Sequence, residues 1–194
     1  MLQIAIFASG SGTNADNLIK YFSSNKEVRI DIVLANNAEA GVISKAEKSG
    51  IAVKIFSRKQ FLEGNEILNC LKDRKIDFII LAGFLLLVPD NIIQRYENMI
   101  INIHPTLLPA HGGKGFYGSK VHQAVIDAGS IMSGITIHKV NTKFDDGEII
   151  FQAACHISKE DTAETLASKI HSLEYKYFPV VIEKYMGSLI PKSV

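Results

Sequence analysis

The chain has 194 residues, 47% of them hydrophobic and 21% charged, with a formal net charge of +1. That length suits one domain burying roughly 70% of its unfolded surface, and the near-neutral balance gives no basic stripe of the kind a nucleic-acid or membrane surface needs. No apolar run approaches the roughly 20 residues that span a bilayer. The opening MLQIAIFASGSG has no basic n-region and reads directly as a strand, so no signal peptide and a cytoplasmic location are expected. Cys70 falls in a helical pattern and Cys155 in a strand pattern, without CxxC spacing, so reduced core thiols are expected rather than a disulfide or metal site.

Leu2–Ala8 is a short apolar run, followed by SGSGTN and a helical pattern through Asn17–Phe22: strand, glycine loop, helix. Gly10 and Gly12 allow positive φ and close backbone approach, and Thr13 or Asn14 is available as a cap. Backbone N–H groups at a helix N-terminus form an anion site whose usual occupant is phosphate, although a purely structural glycine turn has the same pattern. The loop lacks GKS/T and is too short for GxGxxG, so neither ATP nor NAD is indicated. Val28–Ala35 reads as a second strand and Ala40–Ser49 as a helix stopped by Gly50. Ala52–Phe56 is a third strand, and Lys59–Arg74 a helix with Phe61, Ile67, Leu68 and Leu71 at helical spacing. Asp77–Ala82 (DFIILA) is the continuous β-rich run of a strand buried on both faces. Strands alternating with helices predict a parallel sheet with right-handed crossovers.

Gly83–Pro89 is too apolar for an ordinary exposed loop; it is either a core-packed turn or a flat wall for an aromatic ligand. Met99–His104 is the next strand. Alternation puts Asn102 and His104 on one face of it. Pro105, with no N–H to donate, ends the strand and holds His104 extended. Such a pair is either a satisfied turn or core polar group, or a site at a strand's C-terminal end, where open α/β sheets bind ligands. Ala110–Gly118 (AHGGKGFYG) has four glycines and few apolar residues besides Phe116 and Tyr117, and reads as an exposed gating loop. Ser119–Ala128 is helical and ends at Gly129. Ser133–Val140 alternates, with Ile135, Ile137 and Lys139 opposite Thr136 and His138. Asn141–Gly147 is an acidic turn and Glu148–Ala154 returns as a strand, so the sheet closes in a hairpin. Asp161–Gly187 is one long helix that Pro179 kinks or divides. The expected fold is α/β: a single-domain, Rossmann-like open twisted sheet, mostly parallel with an antiparallel C-terminal hairpin, and helices on both faces.

The polar groups this topology gathers at one edge are the glycine loop, Asn102, His104, His138 and the Asp145/Asp146 turn. His104, His138 and an aspartate could supply three metal ligands, but no set lies close in sequence as in HExxH, and no metal is expected. Ser9 and Ser11 lack the GxSxG elbow of a hydrolase, and no cysteine sits in a suitable loop, so covalent catalysis is not expected. An amide, an imidazole and a carboxylate suit direct acyl transfer to an amine. The amide N–H stabilises an oxyanion, the imidazole moves protons, and the carboxylate orients the imidazole.

Taken together, FASGSGTN, LAGFLLLVP, INIHPTLLPAHGGKG, SGITIHKV and FDDGEII resemble the glycinamide ribonucleotide formyltransferase family, over nearly the whole chain and in the family's order and spacing. The resemblance implies transfer of a formyl group from 10-formyltetrahydrofolate, a co-substrate, to the amine of 5′-phosphoribosylglycinamide through a tetrahedral intermediate. The N-terminal half would bind the ribonucleotide, and the C-terminal half would bind folate and carry the chemistry. The family's catalytic trio falls on Asn102, His104 and Asp145; the D-x-G-x-I pattern selects Asp145 over Asp146, because Gly147 and Ile149 then fit. The phosphate cradle falls on Ser11, Gly12, Thr13 and Asn14. The folate side falls on Leu85, Leu86, Leu87 and Val88, on Asn102, and on the turn Asn141, Thr142, Lys143, Phe144 and Asp145. Thr136 and His138 match the strand flanking the trio, and Glu174 matches an acid near the substrate amine.

The chain departs from the family twice. Gln60, flanked by Arg58 and Lys59, stands where members often carry a folate-contacting Arg, and LLLV replaces a frequent MRIL, losing a cation but keeping backbone donors. The implied partners are small molecules, without nucleic acid or membrane, and the implied state is a monomer or homodimer. The alternatives are formyltetrahydrofolate deformylase, usually preceded by a regulatory domain, methionyl-tRNA formyltransferase, which carries a further tRNA-binding domain, and a non-catalytic phosphate sensor using the glycine loop alone.

Overall fold

A computed structural model describes residues 1–115 and 118–189. Phe116 and Tyr117, the apolar residues of the expected gating loop, lie outside the described residues. Strands β1 (Leu2–Ala8), β2 (Val28–Ala35), β3 (Ala52–Ile55), β4 (Phe78–Leu81), β5 (Ile100–His104), β6 (Met132–Lys139) and β7 (Ile149–His156) form one seven-stranded sheet in the order β3-β2-β1-β4-β5-β6-β7. The pairs β2–β3, β1–β2, β1–β4 and β4–β5 are parallel, whereas β6 and β7 are antiparallel. The expected mixed α/β sheet with a C-terminal hairpin is the one observed. The described residues form two compact units, Met1–Asn102 with Lys139–Glu148, and Ile103–His138 with the residues from Ile149 onward.

In the first unit, β1 and β4 are continuous apolar runs, with Ile4, Ala5, Ile6, Ile79 and Ile80 at no more than 1% exposure. Side chains on both faces of such strands are covered, so period-2 alternation has nothing to report. An aromatic cluster closes one face: Phe7, Phe56, Phe61 and Phe84, with ring centroids 5.1 Å apart for Phe56–Phe61 and 5.3 Å for Phe61–Phe84. Burying each phenyl ring contributes about 1.5–3 kcal/mol. The helices α1 (Thr13–Phe22) and α2 (Val42–Lys48) follow β1 and β2.

The helix expected over Lys59–Arg74 is two: α3 (Arg58–Leu62) and α4 (Glu66–Asp73). Ser57 caps α3 in a reciprocal box with Gln60, and the chain leaves the helix at Glu63, just before Gly64-Asn65. A glycine costs a helix interior about 1 kcal/mol, enough to favour a break between two short segments. A further helix, α5 (Asp90–Arg95), follows Pro89. It is too short for its apolar spacing to stand out in sequence.

In the second unit, β6 is buried on both faces, with Thr136 fully covered and His138 2% exposed. The expected alternation is therefore one of chemistry rather than of exposure. A Cβ on Gly134 would lie 2.0 Å from the Ala153 carbonyl oxygen, so only glycine lets β6 and β7 approach there. Helices α6 (Ser119–Asp127) and α7 (Ala163–Leu189) complete the unit. Pro179 neither divides nor ends α7. It is buried in a seam with Leu166, Ile170, Phe178 and Ile182, whose packing outweighs the one backbone hydrogen bond a proline forgoes. Both cysteines are free, as expected, but each is half-buried rather than sealed in the core. Burial still pushes the Cys155 thiol up.

Candidate active site

The glycine loop of the first unit is held from two sides. Ser9 N–H donates to the Gly83 carbonyl at 3.1 Å and Val42 N–H donates to the Gly10 carbonyl at 3.2 Å, while the Leu85 N–H donates to Ser9 Oγ at 3.0 Å. The loop and the 83–85 turn are thereby tied to one another, as their position after parallel strands implies. Gly12 is the N-cap of α1 in the left-handed region, φ 71°, and makes no side-chain cap. Neither Thr13 nor Asn14 caps the helix, contrary to expectation, because the chain enters α1 through Gly12 itself. A Cβ on Gly12 would meet Val42 Cβ at 2.4 Å, so glycine is required by space as well as by φ. With no side-chain cap, the first amides of α1 are available to an anion. Asn14 Oδ1 is buried without a hydrogen-bond partner.

The 83–89 turn divides between both readings of it. Val88 is 4% exposed and belongs to the core, with Phe84 and Leu86 packed against it, whereas Leu85 is 45% exposed. Of the four residues assigned to the folate wall, Leu86 and Val88 therefore spend most of their surface on the core. Gln60, the residue at the expected arginine position, is also committed: its Oε1 accepts from Ser57 N–H at 2.7 Å and its Nε2 donates to Glu66 at 2.9 Å.

β5 carries Asn102 beside β4, with Leu81 opposite Asn102 in register. The Asn102 Nδ2 donates to Asp145 Oδ1 at 3.4 Å, a long hydrogen bond. Asp145 lies in a turn whose base is closed by Lys139 N–H to the Glu148 carbonyl, 2.9 Å, and by a Lys139–Glu148 ion pair at 2.7 Å. Within the turn, Asn141 Nδ2 donates to Asp146 at 3.1 Å and Lys143 N–H donates to Asn141 Oδ1 at 2.9 Å. The two aspartates therefore differ: Asp146 is spent on the turn, and Asp145, at φ 52°, is turned to Asn102. Phe144 is 37% exposed.

In the second unit His104 is 4% exposed, and its Nε2 lies 2.9 Å from the His111 carbonyl oxygen. A carbonyl only accepts, so Nε2 carries the proton in this arrangement. Thr136 braces the segment after His104. Its Oγ1 accepts from Leu108 N–H at 2.9 Å and from Gln152 Nε2 at 2.9 Å, and donates to the Thr106 carbonyl at 2.7 Å. The hydroxyl's hydrogen-bonding capacity is thus filled.

Glu174 is 4% exposed, in the buried seam of α7. Its Oε2 accepts from His171 Nδ1 at 2.8 Å. His122, on α6, is likewise 4% exposed. No sequence motif marked His122 or His171; the only trace was the i, i+3 spacing of His171 and Glu174 on a helical face. Among the described residues, no group of three or more histidines, cysteines or acids could hold a metal ion.

A family model described as formyl transferase matches residues 2–182. The chain is 38% identical over 187 residues to the chloroplastic phosphoribosylglycinamide formyltransferase of Arabidopsis thaliana, a match covering 93% of this chain and 64% of that relative. To the phosphoribosylglycinamide formyltransferase of Bacillus subtilis (strain 168) it is 34% identical over 192 residues, 96% of each chain. The crystal structure of phosphoribosylglycinamide formyltransferase from Bacillus halodurans aligns with a TM-score of 0.87 at 33% identity, covering 98% of both chains. The chain spans less than two thirds of the length of the plant relatives it matches, 64% of one and 60% of the other.

Proposed function

Because the chain belongs to the formyl transferase family, we propose that it moves the formyl group of 10-formyltetrahydrofolate to the amine of 5′-phosphoribosylglycinamide, in purine biosynthesis. The names of the relatives support the acceptor and the formyl group moved, the folate donor follows from the resemblance of the motifs, and the observation that carries the chemistry is the Asn102–Asp145 contact.

In this reading the substrate phosphate lies on the amides of residues 11–14, where no side chain caps α1. The amine nitrogen attacks the formyl carbon, and the developing oxyanion accepts from Asn102 Nδ2, an interaction worth about 10²–10³ in rate. His104 carries the amine proton toward the departing N10 of the folate, typically worth about 10²–10⁴. Formation of the new C–N bond and cleavage of the old one leave tetrahydrofolate protonated at N10 and the glycinamide formylated. Asp145 orients the Asn102 amide. Leu85, Leu86, Leu87 and Val88, Asn102 and the 141–145 turn form the folate side, with Thr136 and His138 as supports and Glu174 beside the amine. A cytoplasmic location and partners limited to small molecules belong to the same reading.

The test is an assay with 10-formyltetrahydrofolate with and without the ribonucleotide amine. Consumption only with the amine is expected; consumption without it indicates the deformylase, and none under either condition indicates a sensor. A purified His104→Ala variant keeping more than half the wild-type kcat removes His104 from the mechanism.

A further inference from the structure

Glu174 is an acid in a seam that is otherwise apolar, between Ile170 and Phe178. A buried carboxylate with a single cationic partner contributes little net stability compared with a well-packed aliphatic side chain. Its presence there is better explained by something it binds. The Glu174 side chain is 6% exposed, whereas that of His171, which donates to it from the preceding turn of α7, is 48% exposed. The His171 ring stacks on Tyr175, with centroids 6.0 Å apart and planes 10° from parallel. It is thus fixed from both sides, by a hydrogen bond and by a ring face.

On α6, His122 lies close enough to feel the Glu174 charge, and its Nδ1 is buried without a hydrogen-bond partner. The hydrogen bond that His171 donates to Glu174 holds the His171 imidazole above its ordinary value. Burial holds the His122 ring below it, with His171 and His104 adding to that effect and Glu174 opposing it. The charged groups around the carboxylate therefore divide: His171 holds its proton to a higher pH than an ordinary histidine, and His122 gives its proton up at a lower one.

Resting on the reading of Glu174 as the acid beside the substrate amine, we propose that His171 is a positioning residue, which orients the Glu174 carboxylate and supplies its counter-charge so that Oε1 is presented to the amine of the ribonucleotide. His171 itself touches no reacting atom. Its imidazolium persists to a higher pH than that of an ordinary histidine, about 6.5, and is lost as pH rises through the elevated value. Amine binding should weaken with it, because the buried carboxylate is then left without its counter-charge.

The experiment measures KM for the ribonucleotide amine, KM for formyl-folate and kcat from pH 6 to 9, in wild type, His171→Leu and His171→Asn. His171→Leu should raise the amine KM about tenfold at pH 6.5, with kcat and the folate KM within about twofold of wild type. His171→Asn keeps an N–H donor without the charge. Its amine KM should exceed that of wild type several-fold at pH 6.5 and converge with it at pH 9. Taking each variant as a ratio to wild type removes the titration of the substrate's own amine. An NMR titration of the imidazoles supplies a readout independent of turnover: His171 should titrate above 6.5 in wild type and fall in Glu174→Gln.

An amine KM within twofold of wild type in both variants at every pH overturns the proposal. So does a loss in which kcat and both KM values change together, the mark of a merely structural residue. If His171→Leu does not fold, the Asn variant and the NMR titration decide. If the wild-type protein does not formylate the amine at all, the parent reading fails, and the NMR titration still reports whether His171 and Glu174 are paired.

Discussion

Asn102 Nδ2 meets Asp145 Oδ1 at 3.4 Å, although the two residues are 43 apart in the chain. The amide is delivered by β5 in register with β4, and the carboxylate by a turn whose other aspartate is tied down by Asn141. A carboxylate that accepts from the amide fixes which way its Nδ2 points. That is the orientation an oxyanion stabiliser needs.

Removing either partner should appear in kcat before KM, because an oxyanion exists only beyond the ground state. Asn102→Ala and Asp145→Asn are each expected to lower kcat by about 10²–10³. Steady-state kinetics at saturating substrates checks both. A change confined to KM contradicts the roles.

Gly12→Ala tests the cradle. Its Cβ would lie 2.4 Å from Val42 Cβ at a φ of 71°. Overpacking of that kind costs about 1–3 kcal/mol, so thermal unfolding should shift down. Because the loop must move to make room, the amine-substrate KM should rise more than the folate KM. Phosphate or sulfate soaked into crystals of the wild type should lie on the 11–14 amides and be missing there in the variant.

Thr136→Val removes a buried hydroxyl whose three hydrogen bonds link Thr106, Leu108 and Gln152. It leaves Leu108 N–H without that acceptor, a loss of about 1–3 kcal/mol. Chemical denaturation should show the loss with an unchanged m-value. His104 begins the segment that Thr136 braces, so kcat should fall as well. A variant as stable and active as wild type removes Thr136 as a support.

Asp161 gives a stability prediction with a defined pH window. Its carboxylate accepts from Lys169, from Ser158 N–H at 2.7 Å and from Thr165 Oγ1 at 2.8 Å, which anchors the chain before α7. The Lys169 hydrogen bond, ahead of those from Ser158 and Thr165, holds the carboxyl far below the usual carboxylate range. A depressed folded-state value stabilises the fold above the unfolded value, near 4, and the contribution is lost as pH falls below it. Asp161→Asn should therefore lower Tm at pH 6 to 7, and the gap to wild type should narrow as pH is taken down through 4 to 2. A gap that stays constant over that range contradicts the assignment.

The order of strands and most of the polar site are local properties of this chain, and for that reason legible in it. Runs such as Leu2–Ala8 and Phe78–Leu81 are too apolar to be anything but covered strands, and Pro105 ends β5 by its own covalent structure. Asn102 and His104 share a strand because they are two residues apart. What the chain alone could not decide depends on which neighbours arrive. Asp145 and Asp146 look alike in sequence, and only the folded turn commits one to Asn141 and leaves the other for Asn102. That the side chains of Leu86 and Val88 pack on the core while Leu85 faces out is decided by the aromatic cluster beside them. Pro179 should interrupt a helix by its own chemistry and does not, because packing along α7 is worth more than one backbone hydrogen bond. His122 and His171 carry no motif at all; the Glu174 carboxylate raises the proton affinity of His171 from within α7, and burial in the folded unit lowers that of His122.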